Sequence, residues 1–195
     1  MSAGQKKKGT VTQRNTVAAS LVSGVIAAAE VLGGGRADMT LCLNVSGINQ
    51  ALLKSPTSRV DGEHFVALLV AIEAAMKDEA IGVRIGAVLA VSSFNALGYA
   101  AASCNTLFEA LRLIPKYEVL VMTQGNTEIV EMGEVVDVRW SMRNGQYLAI
   151  LEDLFLAVWV VLGKRLTGRD TLNLEVAFTH KCPGRLNAWK EVFGS

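Results

Sequence analysis

The clearest helix signals of this chain lie in GINQALLKSPTSRVDGEHFVALLVAIEAAMKDEAIGVRIG at 47–86 and in NALGYAAASCNTLFEALRLIPKY at 95–117. Asp61 is placed as an N-cap, and the apolar side chains after it recur at the i, i+3, i+4, i+7 spacing of a buried helical stripe. The stripe consists of Phe65, Leu68, Leu69, Ile72 and Met76. The pattern predicts helices over 62–77, 80–91 and 107–116. These short helices are expected to pack together as one layer.

The residues before this stretch predict two more helices and a tail. Apolar residues at helical spacing over 16–32 predict a helix, which Gly33, Gly34 and Gly35 end because glycine accepts left-handed conformations. A second short helix is predicted over 39–44. The segment 1–15 is polar, carries Lys6, Lys7 and Lys8, and has no apolar periodicity, so a disordered tail is predicted there. The remainder, 16–195, is predicted to be one domain.

After Tyr117 the apolar period changes from near 3.6 to 2, which indicates strands. Strands are predicted over 118–123, 127–132 and 134–142, followed by a helix over 146–165, a fourth strand over 171–179 and a last helix over 186–193. The predicted fold class is therefore α+β. It comprises an N-terminal helical layer packed on a mainly antiparallel sheet of about four strands, with a long buried helix before the last strand.

Composition excludes several classes of protein. The chain has 195 residues, of which 51% are hydrophobic, and its 19 basic and 18 acidic side chains leave a net charge of +1, unlike a domain that binds nucleic-acid backbones. The three cysteines are widely separated and no secretory pattern precedes them, which favours the cytoplasm. The apolar segment 148–162 is too short to span a bilayer and contains Glu152 and Asp153, so no membrane association is predicted.

No catalytic, metal or cofactor motif is present in the sequence. Its two histidines, His64 and His180, do not form a nucleophile, base and acid series on converging elements. His180 and Cys182 form a pair of possible metal ligands, but no second pair lies at the required spacing. The GGGR run at 33–36 lacks the lysine and hydroxyl residue of a phosphate loop. We therefore predict a protein that is not an enzyme and holds no cofactor or metal.

A ligand pocket between the helical layer and the sheet is one interpretation of the remaining polar and aromatic residues. Arg84 and Asn95 are the candidate polar contacts, and Trp140, Tyr147 and Trp159 are the candidate walls. Solvated or capping roles for the first two, and ordinary core packing for the aromatic three, are the alternatives.

Several short segments occur in an order that resembles a known family. They are GINQALLKSP, RVDGEHFVALLVAIEAA, GVRIG, NALGYAAASCNTLFEALRLIPKY and EVAFTHKCP followed by WKEVFG, spread over 16–194. This series resembles the N-terminal effector-binding, arabinose-binding-like domain of AraC-type transcription regulators, in the branch that includes ornithine-utilisation regulators. The resemblance implies a bacterial domain that binds a small-molecule effector and forms a homodimer. It also implies that a separate C-terminal domain with two helix-turn-helix motifs binds DNA.

The resemblance does not identify the effector, since family members respond to amino acids, fatty-acid-like molecules or nucleotides. The sequence stops at Ser195, where relatives continue toward the DNA-binding half. We therefore expect either a shortened form of a longer regulator or a natural protein without that half. The alternative hypothesis is a stand-alone protein–protein interaction domain without a metabolite ligand.

Overall fold

The structure of the protein is a computed structural model that describes residues 14–35, 37–143, 148–181 and 186–194. Helices account for most of the described chain. They are α1 (Ala19–Gly33), α2 (Met39–Ser46), α3 (Gly62–Met76), α4 (Ile81–Val88), α5 (Asn95–Ala102), α6 (Leu107–Tyr117), α7 (Ala149–Thr167) and α8 (Asn187–Phe193). The strands are β1 (Thr16–Ala18), β2 (Arg59–Asp61), β3 (Gly125–Met132) and β4 (Val135–Met142). The predicted α+β class is confirmed.

The predicted four-stranded sheet is wrong. The described residues form two separate antiparallel pairs, β1 with β2 and β3 with β4. In the second pair the register runs from Gly125 opposite Met142 to Met132 opposite Val135, with Gly133 at φ 65° in the turn. The predicted strands over 127–132 and 134–142 are thus confirmed as a hairpin rather than as part of a meander.

The two other predicted strands failed for different physical reasons. Within the predicted strand over 118–123, Glu118–Leu120 is a turn of 3-10 helix that continues directly from α6, and Met122 alone forms a β-bridge, to Val17 of β1. Residues 171–179 alternate between exposed and half-buried, as their sequence pattern required, but they pair with no strand in the described parts of the chain. The alternation of apolar and polar residues therefore indicated an extended segment that packs on the helices. A β-strand also requires a second strand with which its backbone forms hydrogen bonds.

The helix ends follow the local sequence signals. Asp61 is the N-cap of α3 and its carboxylate accepts from the backbone N–H of Glu63 at 2.9 Å. The hydroxyl of Thr106 accepts from the N–H of Glu109 at 3.1 Å and caps α6. Gly34 ends α1 at φ 52°, a left-handed conformation that glycine adopts without strain. The first helix begins at Ala19 rather than at Thr16, because Thr16–Ala18 forms β1.

Helices α4 and α7 run parallel in very close contact, and two glycines permit the approach. A methyl group at Gly82 would lie 2.6 Å from the carbonyl oxygen of Ile150, and one at Gly86 would lie 2.3 Å from that of Leu154. Both distances are shorter than any real contact, so only glycine fits at these positions. The GVRIG segment is therefore the contact surface of α4 on α7.

The main core lies where α1, α3, α4 and α7 meet. Its largest fully buried side chains include Leu21, Phe65, Leu69, Ile85 and Leu154. A smaller apolar cluster at α8 contains Val83, Ala157 and Trp189. The predicted long buried helix is confirmed as α7, although residues 144–147, where its start was predicted, lie outside the described residues.

The described helices include no single one that is both long and apolar enough to cross a membrane. Ile81–Val88 and Val91–Ala102 reach the required length and composition only together, and the chain bends by 98° between them. The predicted tail 1–15 lies almost wholly outside the described residues, and the single domain over 16–195 stays a prediction.

Candidate functional site

A mostly apolar cavity lies between helices α4 to α6, the β3–β4 hairpin and α7. It has a volume of about 760 Å³ when its open mouth is included, and about 60 Å³ of it is wide enough for the centre of a water molecule. Since a single probe sphere is enough to hold one water, the cavity has room for several waters or a small ligand. Its apolar lining includes Leu89, Val91, Phe94, Leu97, Ile114, Val121, Met122, Phe155, Val158 and Leu162.

Short helix packing shapes one side of this cavity. On α5, a methyl group at Gly98 would lie 2.1 Å from the carbonyl oxygen of Val91, so glycine is required for the helix to fold back on the preceding 3-10 turn. That turn presents Phe94 to the cavity. Leu97, Gly98 and Ala101 of α5 therefore form one wall of the cavity.

Two tryptophans form the opposite wall. Trp140 on β4 stacks on Phe155 of α7 with ring centroids 5.1 Å apart and an angle of 26° between the rings. Trp159 lies one helical turn beyond Phe155 and is half-buried in the lining. Stacked aromatic rings give a flat apolar surface, which suits a planar or short aliphatic ligand.

A buried carboxylate marks the inner end of the cavity. Glu118 is 8% exposed, and its Oε2 accepts from the Thr127 hydroxyl at 2.6 Å while its Oε1 accepts from the Thr127 backbone N–H at 3.0 Å. The guanidinium of Arg143 lies 3.6 Å from Oε1. These donors offset the cost of burying the charge and still leave acceptor capacity on both oxygens.

Gly125 connects this carboxylate with the aromatic wall. A methyl group there would lie 3.1 Å from Nε1 of Trp140 and 3.6 Å from Oε2 of Glu118. The indole N–H and the carboxylate therefore both border the space above Gly125. This end of the cavity offers one donor and one acceptor to a ligand.

The mouth of the cavity carries a guanidinium group. Arg165, in the last turn of α7, is exposed and also belongs to the lining. Its Nη1 donates to the carbonyl oxygen of Leu89 at 3.4 Å. Across the described parts of the chain, no carboxylate forms an ion pair with Arg165, which leaves most of its five N–H groups for other partners.

The predicted site residues fall into three groups. Trp140 and Trp159 line the cavity as predicted, although their role as effector contacts stays a prediction. Tyr147 lies outside the described residues. Arg84 and Asn95 are not in the cavity lining, so the structure does not bring them together with the two tryptophans.

The local contacts of those two polar residues explain their positions. Nε of Arg84 lies 3.0 Å from Oδ2 of Asp78, close enough for an ion pair although the N–H does not point at the oxygen. Nδ2 of Asn95 donates to the carbonyl oxygen of Pro56 at 3.4 Å, and Asn95 itself adopts φ 50° at the start of α5. Their neighbours Ile85 and Phe94 point inward instead. In the described structure each residue therefore has a polar partner outside the cavity lining, Asp78 for Arg84 and Pro56 for Asn95.

Sequence reasoning missed Glu118 and Arg165. Glu118 is the first residue of the predicted strand over 118–123, and Arg165 is the last residue of the predicted helix over 146–165. A single acid between α6 and an apolar run was the available signal for Glu118. For Arg165 there was none, since basic residues are ordinary at the end of a helix.

A second polar cluster joins α7 to the end of the chain. Asp153 is 2% exposed, and its Oδ1 accepts from Nε1 of Trp189 at 2.9 Å and lies 3.1 Å from Nε2 of His180. Burial raises the pKa of Asp153, and the hydrogen bonds from Trp189 and His180 offset part of that rise. Glu152 accepts from the Thr179 hydroxyl at 2.6 Å. The cluster fixes the extended segment 171–180 and α8 on α7.

The comparisons with known proteins point to one family. The family model described as the arabinose-binding domain of AraC transcription regulators, N-terminal, matches residues 37–195. Every residue of the cavity lining falls within that range. No curated protein matches the chain.

Proposed function

Since the chain belongs to the family of N-terminal arabinose-binding domains of AraC transcription regulators, we propose that it binds a small-molecule effector and forms the dimer contact of such a regulator. The role is regulatory rather than catalytic. Within the family we place it in the branch that includes ornithine-utilisation regulators, on the short segments named above. The proposed setting is the cytoplasm of a bacterium, with DNA bound by a C-terminal domain.

The observation that supports this proposal most strongly is the apolar cavity with Trp140 and Trp159 in its lining. Ligand sites are concave and mostly apolar and carry a few polar groups that orient the ligand. Glu118 and Arg165 are those polar groups here. The cavity therefore has the form of a small-molecule site.

The position of the cavity suggests how an effector acts. Its walls come from α4 to α6 on one side and from the β3–β4 hairpin with α7 on the other, so an effector contacts both groups of elements. A ligand shifts a conformational equilibrium only by its differential affinity for the two states. An effector that binds one arrangement of these elements more tightly than another would alter the surface presented to a second copy and to the DNA-binding domain.

The test is a thermal-shift screen of the 195-residue chain with amino acids, short carboxylates, fatty acids, sugars and cyclic dinucleotides. A compound present at 100 times its Kd stabilises the folded state by about 2.7 kcal/mol, which is readily measured. Hits are then titrated by tryptophan fluorescence. The protein has three tryptophans, of which Trp140 and Trp159 line the cavity, whereas Trp189 bonds to Asp153.

A matched set of variants localises each hit. The Trp140→Phe/Trp159→Phe double variant is expected to lose the ligand-dependent fluorescence change, since only Trp189 remains. Wild-type fluorescence that does not respond to any hit would contradict binding in this cavity. A screen without hits would contradict the sensing proposal and favour an interaction domain that binds no metabolite.

A further inference from the structure

From the polar groups at the two ends of the cavity, we propose that the effector is a small monocarboxylate with an apolar body and a hydrogen-bond donor at its far end. This inference rests on the proposed function, because it assigns a chemical class to the ligand of the same cavity. It excludes free sugars, although the family description names arabinose.

Arg165 is the group that selects a carboxylate. Its guanidinium lies at the cavity mouth, one of its nitrogens donates to the Leu89 carbonyl at 3.4 Å, and no acid in the described structure forms an ion pair with it. The residues outside the described ranges contain no aspartate or glutamate either. The planar guanidinium matches a carboxylate with two parallel hydrogen bonds. An anionic end is therefore expected at the mouth.

Glu118 selects a donor at the inner end. Its carboxylate already has the Thr127 donors and the nearby charge of Arg143, so it does not need a cationic ligand to balance its charge. Its remaining acceptor capacity suits a neutral hydroxyl group. The indole N–H of Trp140 borders the same space and suits the lone pairs of that hydroxyl.

Helix α7 provides a measure of the distance between the two ends. Trp140, beside Gly125 and Glu118, stacks on Phe155, which is ten residues before Arg165 and so about 15 Å away along the axis. The Arg165 side chain leans toward the helix start by about one turn, which brings the separation to between about 10 and 15 Å. Hydrogen bonds of about 3 Å at each end leave roughly 4–9 Å for the ligand.

The side chains in the middle of the cavity determine that the central part of the ligand is apolar. Between the two polar ends α7 presents only Phe155, Val158, Trp159, Val161 and Leu162 to the space. A sugar would bury several hydroxyls there without partners, which is costly. In an α-amino acid with a short apolar side chain, the ammonium and the carboxylate lie too close together for each to reach one end of the cavity. A hydroxyphenyl carboxylate meets the requirements of length, planarity and polarity.

The experiment compares matched probes by isothermal titration calorimetry on the full 195-residue chain. The probes are 4-hydroxyphenylacetate, phenylacetate without the hydroxyl, tyramine with an ammonium in place of the carboxylate, and L-arabinose. We expect 4-hydroxyphenylacetate to bind at least tenfold more tightly than tyramine or arabinose, and several-fold more tightly than phenylacetate. Equal or tighter binding of tyramine or arabinose overturns the inference.

Two variants test separately the roles of Arg165 at the mouth and Glu118 at the inner end of the cavity. Arg165→Gln is expected to weaken 4-hydroxyphenylacetate at least tenfold, while Arg169→Gln, which removes a neighbouring charge outside the lining, changes affinity less than twofold. Glu118→Gln is expected to remove the preference for the hydroxylated probe and to keep the need for a carboxylate. Thermal melts without ligand verify that each variant is folded.

The results separate the inference from the proposed function. If a compound from the thermal-shift screen binds with a response from Trp140 and Trp159 but is equally tight in Arg165→Gln and wild type, the inference is wrong and the sensing role stands. If no compound binds the cavity, both are wrong. Equal losses in Arg165→Gln and Arg169→Gln show a general charge effect and also overturn the inference.

Discussion

Replacing Gly86 by alanine tests the close approach of α4 to α7, which positions one side of the cavity. The added methyl group would lie 2.3 Å from the carbonyl oxygen of Leu154 and 2.8 Å from Cβ of Ala157. The two helices must therefore separate by at least 0.7 Å (3.0 minus 2.3) to reach the shortest contact that Cβ atoms make. Neither obstacle is the end of a flexible side chain, so the backbone has to move.

The expected loss of stability follows from two opposing effects. Overpacking of a core costs about 1–3 kcal/mol, and the upper part of that range, about 2–3 kcal/mol, applies here because the backbone has to move, whereas alanine in place of glycine inside a helix gains about 1 kcal/mol. We expect a net loss of about 1–2 kcal/mol in the free energy of unfolding. For a protein of this size that lowers Tm by about 2–8 °C. Urea denaturation followed by circular dichroism measures the first quantity, and a thermal scan measures the second.

Gly163→Ala is the matched control, since it makes the same change inside α7. Its methyl group would meet the ends of the Leu172 and Leu107 side chains, at 3.0 and 3.6 Å, and these can rotate away. Its free energy of unfolding is expected to change by less than about 1 kcal/mol in either direction. If Gly86→Ala were as stable as wild type, or lost no more than Gly163→Ala, the reasoning about helix contact would be refuted.

Two further predictions concern buried polar groups. Because burial raises the pKa of Asp153, the folded state binds more protons than the unfolded state above about pH 3.8, and the free energy of unfolding falls as the pH rises through that window. Asp153→Asn keeps an acceptor for Trp189 but cannot ionise, so this part of the pH dependence is expected to disappear from urea denaturation between pH 4 and 8; parallel curves for both proteins would contradict it. Arg59→Lys is expected to lower the free energy of unfolding by about 1–3 kcal/mol. Two nitrogens of the guanidinium donate to the carbonyl oxygens of Thr16 and Leu120, at 3.0 and 2.5 Å, whereas lysine lacks such a planar pair of donors. In the same assay Arg139→Lys, whose partner Asp137 lies on the same strand, is expected to lower the free energy of unfolding by less than about 0.5 kcal/mol. Equal losses in the two variants would contradict the role of the paired guanidinium donors of Arg59.

The helical half of the fold could be predicted because its signals are local. Asp61 and Thr106 cap the helices that were expected after them, and the glycines at 33–35 end α1. A cap needs only the backbone groups of its own helix, so neighbours in sequence are sufficient to identify it. The β3–β4 hairpin was predictable for the same reason, because its turn at Gly133 joins adjacent strands.

The sheet and the site depended on contacts between distant residues. Residues 171–179 have the alternation of a strand but no strand partner in the described structure, and a pattern along one segment does not reveal a partner. Trp140 and Trp159 were predictable as aromatic positions facing inward. Arg84 was expected beside them, yet it faces Asp78 on its own side of α4. The sequence of a short helix does not reveal which of its faces packs against the rest of the protein.

The α+β class, the order of every described helix except α5, the Asp61 cap, the glycines that end α1 and the family resemblance could be read from the sequence alone. All of these rest on spacings of a few residues and on the limited set of backbone conformations. The close contact of α4 with α7 at Gly82 and Gly86, and the position of Glu118 and Arg165 beside one apolar cavity, became evident only from the packing of the elements in three dimensions. The reason is physical, since a cavity is the space left between packed elements and its polar ends belong to residues that packing brings together.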